Sequence, residues 1–170
     1  MYKSNSQKFE LDNDLFASQG QRFANYILDY ICQIILLFCV VFVIAIIATL
    51  NGDQKFIERI GNMNRVEQYA MGAVVVLLYY NILEIFFSVT IGKLVTNTVV
   101  VDRNGNKPET NEILIRSLCR LIPLEIFSFL GAPDKGWHDS ISKTYVVKKE
   151  LLERKKRAFK SLDNIGRSEE

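Results

Sequence analysis

From Tyr30 to Leu50 the chain runs 21 residues without a charged side chain. A helix of that length crosses a hydrocarbon core of about 30 Å. Its apolar residues do not keep to one stripe, as they would on a helix packed against a soluble core. The pattern therefore predicts a membrane span over about 27–50. Upstream, Arg22, Tyr26, Asp29 and Gln33 recur at spacings of four, three and four, which places them on one helix face. Ser18 with Gln21 three later reads as a capping box, so the helix is expected to start near Ser18. Asn51-Gly52-Asp53 ends it, and Phe56, Ile57 and Ile60 give the following loop one amphipathic turn. Asn64 with Glu67 caps a second span, expected over about 69–89, whose single charge is Glu84.

Beyond the second span the pattern changes. Val95 to Asp102 is rich in β-branched residues and reads as a strand, with a turn at Asn104-Gly105. A third apolar segment begins near Thr110 or Asn111 and is expected to continue past Pro123 and Glu125 to Leu130. It sets Glu112, Arg116 and Arg120 along one face. Its longest charge-free run, Ile126 to Pro133, is too short to span. We expect residues 113–132 to lie in the interface or to re-enter the membrane. The fold class is thus all-α integral membrane. A two-helix transmembrane hairpin is joined by an interfacial or re-entrant amphipathic helix, a short β-hairpin-like cytoplasmic segment and a basic C-terminal helix. Residues 1–17 read as a polar mobile tail, 18–148 as the membrane domain and 149–170 as a basic cytoplasmic tail.

Composition changes this picture little. The chain has 170 residues, 49% hydrophobic and 24% charged, with a net charge of +2. The distribution of charge is more telling. If the third segment does not cross, eighteen Lys and Arg lie on one side of the membrane and three on the other. By the positive-inside rule both termini are cytoplasmic, in a multi-pass protein of the cell inner membrane. The stretch before the first span carries Glu10, Asp12 and Asp14, unlike the basic start of a cleaved signal peptide. Between Lys148 and Lys160 basic residues alternate with Leu151, Leu152 and Phe159. This helix is suited to lie on anionic lipid headgroups. Cys32, Cys39 and Cys119 sit in apolar settings and are expected to be buried thiols.

Candidate chemistry centres on Asp29 and Glu84. Counted inward from the same end of an antiparallel hairpin, both lie within about two turns in depth. A carboxylate there must be paired, protonated or wet. One reading is a proton or cation site with Gln33, Asn81 and Ser88 as neutral ligands. The other is a static ion-pair lock with Arg22, Lys93, Arg116 and Arg120, which the abundance of arginines favours. No catalytic constellation is visible, so no enzyme is expected. Neither a metal site nor a cofactor is expected, because His138-Asp139 offers the chain's one histidine. Trp137 beside it suits an interfacial anchor. Thr90-Ile91-Gly92-Lys93 lacks the other residues of a phosphate-binding loop. Basic residues without interleaved aromatics give no case for nucleic acid.

Taken in order, Arg22, Asp29, Glu84, Thr90-Ile91-Gly92-Lys93, Val99-Val100-Val101-Asp102, Arg116, Arg120, His138-Asp139 and Thr144-Tyr145-Val146-Val147 resemble the RDD family of membrane proteins. The resemblance covers about residues 17–148. It implies that Arg22, Asp29 and Asp139 are the arginine and two aspartates for which the family is named. It further implies a small bacterial membrane domain associated with transport of an unidentified ligand, with cation/proton exchange proposed for parts of the family. Two spans without an internal repeat make a thin transporter. The leading expectation is therefore a homo-oligomer with an ion or small-solute transport role. The competing one is a non-transporting adaptor that binds a membrane protein or anionic lipid.

Overall fold

The computed structural model describes residues 9–122 and 136–168, and its elements are mostly helical. Helix α1 (Gln19–Leu50) is 32 residues long, about 48 Å at 1.5 Å per residue, which exceeds the hydrocarbon thickness. It starts at the expected capping box. Ser18 Oγ accepts from the Gln21 N–H at 3.2 Å, and the Gln21 side chain accepts from the Ser18 N–H at 3.0 Å. Helix α2 (Gln54–Gly61) extends the expected amphipathic turn to eight residues. Helix α3 (Arg65–Phe87) begins at a second capping box, between Asn64 and Glu67. It starts and ends earlier than the expected 69–89. Its cap lies five residues upstream of the expected start at Tyr69, and Ser88 adopts φ +58°, a left-handed conformation that stops the helix.

A soluble core helix would be buried, and these helices are not. In the most apolar stretch of α1 only 6% of residues are buried, and 22% in that of α3. Phe38 is 72% exposed and Phe42 66%. Two long apolar helices that leave such faces uncovered need lipid as their solvent. The polar residues keep to the α1 end that precedes the apolar run, called the near end below. Here the α1 N-terminus meets the α3 C-terminus. Cys39, expected to be buried, is exposed on the apolar surface of α1.

The near end carries most of the rest of the described chain, although the segment after α5 follows α3 as far as Tyr69, whose Oη donates to the Leu121 carbonyl at 3.0 Å. Helix α4 (Ile91–Val95) packs on α1, and helix α5 (Thr110–Cys119) on α3. Strand β1 is shorter than the expected 95–102. Val95 belongs to α4, Asn97 turns at φ +54°, and only Thr98–Val101 is extended. Its antiparallel partner is β2 (Tyr145–Lys148), with Val99 opposite Val147 and Val100 opposite Val146. The Asn104-Gly105 turn forms as expected. The Asp102 side chain accepts from the Asn104 and Asn106 N–H groups, and Gly105 takes φ +74°. Helix α6 (Trp137–Ser142) packs on α5, and helix α7 (Lys149–Ser168) follows β2 directly. The expected continuation of the third segment to Leu130, and with it the interfacial or re-entrant segment, lies outside the described residues, as does the Trp137 side chain.

Residues 9–17 do not form a loose polar tail. Leu15 is fully buried in a cluster with Val101, Val147 and Leu152, ringed by Phe9, Leu11, Phe16 and Leu151. Phe16 pairs with Val147 as an isolated bridge, and the Ala17 N–H donates to the Val146 carbonyl at 2.9 Å. The apolar side of α7 faces this cluster. Leu152 is 5% exposed, and the Phe9 ring meets Phe159 edge-on at 5.8 Å between centroids. Of the face expected to lie on lipid, which also includes Leu162, Leu152 and Phe159 are covered by the chain's own N-terminal segment, while Leu162 is 68% exposed. Hydrogen bonds from Lys155 to Asp12 and Asp14 brace the same contact.

Candidate functional site

Arg22, Asn25, Asp29 and Gln33 are the buried polar residues of α1, at spacings of three, four and four. Asn25 was missed by the sequence reading, which placed Tyr26 on this face, although the same spacing rule selects Asn25. Its amide sits against the Thr96 and Thr98 hydroxyls and ties α1 to the approach to β1.

Asp29 and Glu84 are both buried, at 1% and 0% exposure, but they have different kinds of partner. Asp29 is held by neutral donors. Tyr79 Oη donates to Oδ1 at 2.8 Å, Thr90 Oγ1 to Oδ2 at 2.7 Å and the Gly92 N–H to Oδ1 at 2.8 Å. The Thr90–Lys93 stretch is thus a helix start wrapped on a carboxylate. Thr90 caps α4 by accepting from the Lys93 N–H. Gly92 has to be glycine here, because a Cβ would stand 2.5 Å from the Asn25 carbonyl oxygen and 2.9 Å from Asp29 Oδ1.

Glu84 is held by cations. Lys93 Nζ contacts Oε1, Arg120 Nη2 donates to Oε1 at 3.1 Å and Arg116 Nε lies 3.4 Å from Oε2. Arg116 also reaches the other way, with Nη1 2.5 Å from Asp139 Oδ1 and 2.7 Å from Thr144 Oγ1. Asp139 takes a second guanidinium from Arg22. A buried chain of ion pairs therefore runs from α1 through Asp139 and Arg116 to Glu84, Lys93 and Arg120. It ties α1, α3, α4, α5 and α6 together. Arg120 also stacks over the Tyr80 ring, 3.6 Å from its centroid.

Of the candidate residues, Arg22, Lys93, Arg116, Arg120, Glu84 and Asp139 share this network, while Asp29 stands on a separate set of neutral donors. Gln33 lies deeper on α1 and lines the cavity described below. Ser88 and Asn81 are not among the Asp29 partners. Ser88 serves through its backbone, its N–H donating to the Glu84 carbonyl and its own carbonyl accepting from Val100. Among the described residues no His, Cys, Asp and Glu side chains converge as a metal-binding group.

Two buried groups outside the spans have displaced pKa values. Burial pulls the Lys93 ammonium down to about 8, against the opposing pull of Glu84. Burial alone would raise the Asp139 carboxyl. Arg116, His138 and Arg22 overcome that and hold it well below the usual carboxylate range.

A cavity of about 510 Å³ adjoins the network between α1 and α3. Arg22, Lys93, Arg116 and His138 line one end, and Ile34, Leu37, Gly72 and Val76 line the other. Among the described residues, four formal cations (Arg22, Lys93, Arg116, Arg120) meet three carboxyl groups (Asp29, Glu84, Asp139). Among the described residues, the guanidinium nitrogens Arg22 Nη2, Arg116 Nε and Arg116 Nη2 are buried without a hydrogen-bond partner, as are the carboxylate oxygens Glu84 Oε2 and Asp139 Oδ1. Each such donor costs on the order of 1–3 kcal/mol until an acceptor reaches it.

The RDD family model matches residues 16–133. No curated protein and no solved structure matches the chain. The matched stretch holds Arg22, Asp29, Glu84, Lys93, Arg116 and Arg120. Asp139 lies beyond it, yet the network joins Asp139 to Arg22. With most of its length matched, this membrane protein belongs to the RDD family.

Proposed function

We propose that this domain binds an anionic ligand within the membrane, at its cytoplasmic side, and that Glu84 and Asp139 lock the binding site rather than carry a cation. The observation behind this reading is that the cationic side chains of Arg22, Lys93 and Arg116 line one end of a cavity, with Arg22 Nη2 and Arg116 Nη2 lacking a hydrogen-bond partner among the described residues. Buried guanidinium groups with spare donors suit a carboxylate or phosphate, which accept in the matching forked geometry. A cation at Glu84 would have to displace Lys93, Arg116 and Arg120. A cation at Asp29 would have to displace three short hydrogen bonds. Both exchanges are costly in a low-dielectric site. Transport of an anionic solute by a homo-oligomer is one use of such a site, and static binding is another.

Titration calorimetry of the purified full chain in neutral detergent tests this, with inorganic phosphate as the probe. Saturable binding, weakened at least tenfold in Arg22→Gln and less in Arg22→Lys, is expected. Sodium-driven proton flux in proteoliposomes that is lost in Asp29→Asn, with no phosphate binding, would overturn the reading in favour of cation exchange.

A further inference from the structure

The shape of the cavity narrows the class of ligand. Its polar end is set by Arg22 and its apolar end reaches Leu37 on the same helix. Fifteen residues separate them, about 22 Å along an α-helix. That equals half of the roughly 40–45 Å thickness of a bilayer with its headgroup regions. The cavity therefore extends from headgroup level to about the membrane midplane, the depth of one lipid of one leaflet. Beside Gly72 on α3 the space is open, since a Cβ there would meet nothing within 4 Å among the described residues. A small hydrophilic anion would leave this apolar length without a partner. A ligand carrying both a phosphate and a hydrocarbon chain uses both ends.

Resting on the anion-binding reading above, we infer that the occupant is an anionic phospholipid of the cytoplasmic leaflet. Its headgroup phosphate lies at Arg22 and Arg116, and one acyl chain lies between Ile34 and Leu37 of α1 and Gly72 and Val76 of α3. The lipid is held by charge complementarity at one end and by chain burial at the other. Neutral lipid of equal chain length lacks the first term, and inorganic phosphate lacks the second.

The test uses the full chain in phosphatidylcholine nanodiscs, read by native mass spectrometry with phosphatidylglycerol and phosphatidylcholine of matched chains. Inorganic phosphate binding is measured in parallel. Phosphatidylglycerol is expected to be retained at least tenfold over phosphatidylcholine. Gly72→Leu, which fills the apolar end, is expected to lose that preference while phosphate binding persists. Gly61→Leu on α2, outside the cavity lining, serves as the control that keeps both. Equal retention of the two lipids, or a Gly72→Leu variant that retains phosphatidylglycerol like the parent, overturns the lipid inference. If phosphate binds normally in that case, the anion-binding reading survives. If neither phosphate nor phosphatidylglycerol binds, the anion-binding reading falls as well.

Discussion

At the scale of single residues, two buried carboxylates of similar depth are predicted to behave differently when neutralised. Glu84→Gln removes the carboxylate charge shared by Lys93, Arg116 and Arg120; Arg116 keeps Asp139, but Lys93 is left without an ion pair among the described residues. Breaking a buried ion pair from one side costs about 3–5 kcal/mol. Asp29→Asn keeps an oxygen for part of its set of neutral donors and strands no cation, so its cost is about 1–3 kcal/mol. Thermal melting in detergent is expected to rank Glu84→Gln well below Asp29→Asn. The reverse order would mean that Asp29, not the ion-pair chain, holds the near end together. Lys93 adds a pH dependence. It faces Glu84 on α3, Arg116 and Arg120 on α5 and Asp29 on α1, with His138 farther along the network on Asp139. Below about 8 it is charged, so four cations meet three carboxyl groups; above that value the excess disappears. Phosphate affinity is expected to fall as pH rises through 8 and to hold constant there in Lys93→Arg, whose guanidinium stays charged. A parent profile flat from pH 6 to 10 would remove Lys93 from the anion site.

At the scale of elements, the parts that were legible in the sequence are those with local causes. Both long helices start where Ser18 with Gln21, and Asn64 with Glu67, form capping boxes three residues apart. The Asn104-Gly105 turn is local as well. Long-range pairings were not legible. The partner of β1 lies more than forty residues away, and nothing in the Thr98–Val101 pattern selects it. The cradle around Asp29 was hidden because one of its donors is the backbone N–H of Gly92, which carries no side-chain signature. The N-terminal segment misled because its apolar residues, Phe9, Leu11, Leu15 and Phe16, follow no single period. They are buried as an irregular strap over β2 and α7, and irregular segments leave no periodic trace. That strap makes its own prediction. Leu15→Ala removes the centre of the cluster and should cost about 2–5 kcal/mol locally. Limited proteolysis is expected to cut α7 faster in this variant while α1 and α3 stay protected. Equal cutting rates in parent and variant would show that α7 does not depend on the strap.

At the scale of the whole molecule, the remaining issue is which side of the membrane holds the near end. The described structure places the N-terminal strap, the sheet, α6 and α7 together at one end of the helix pair, with α2 at the other. Whatever the orientation, residues 9–17 and α7 therefore lie on the same side, because Leu15 and Leu152 share one buried cluster. The positive-inside rule then selects the direction. The near end gathers Arg22, the basic residues of the β1–α5 stretch and those of α7, whereas the α2 side has Lys55, Arg59 and Arg65. With that direction the arginine network would lie in the leaflet where anionic headgroups attract basic segments, as the anion-binding reading requires. Single cysteines test the arrangement once Cys32, Cys39 and Cys119 are replaced by serine or alanine. A membrane-impermeant maleimide applied to intact cells should label Asn62→Cys next to α2 and leave Ser161→Cys in α7 untouched until the cells are opened. Labelling of Ser161→Cys from outside would invert the molecule and put the network in the opposite leaflet. Labelling of neither would mean that the α2 side is shielded, and Gln54→Cys at the exposed start of α2 then decides between shielding and inversion.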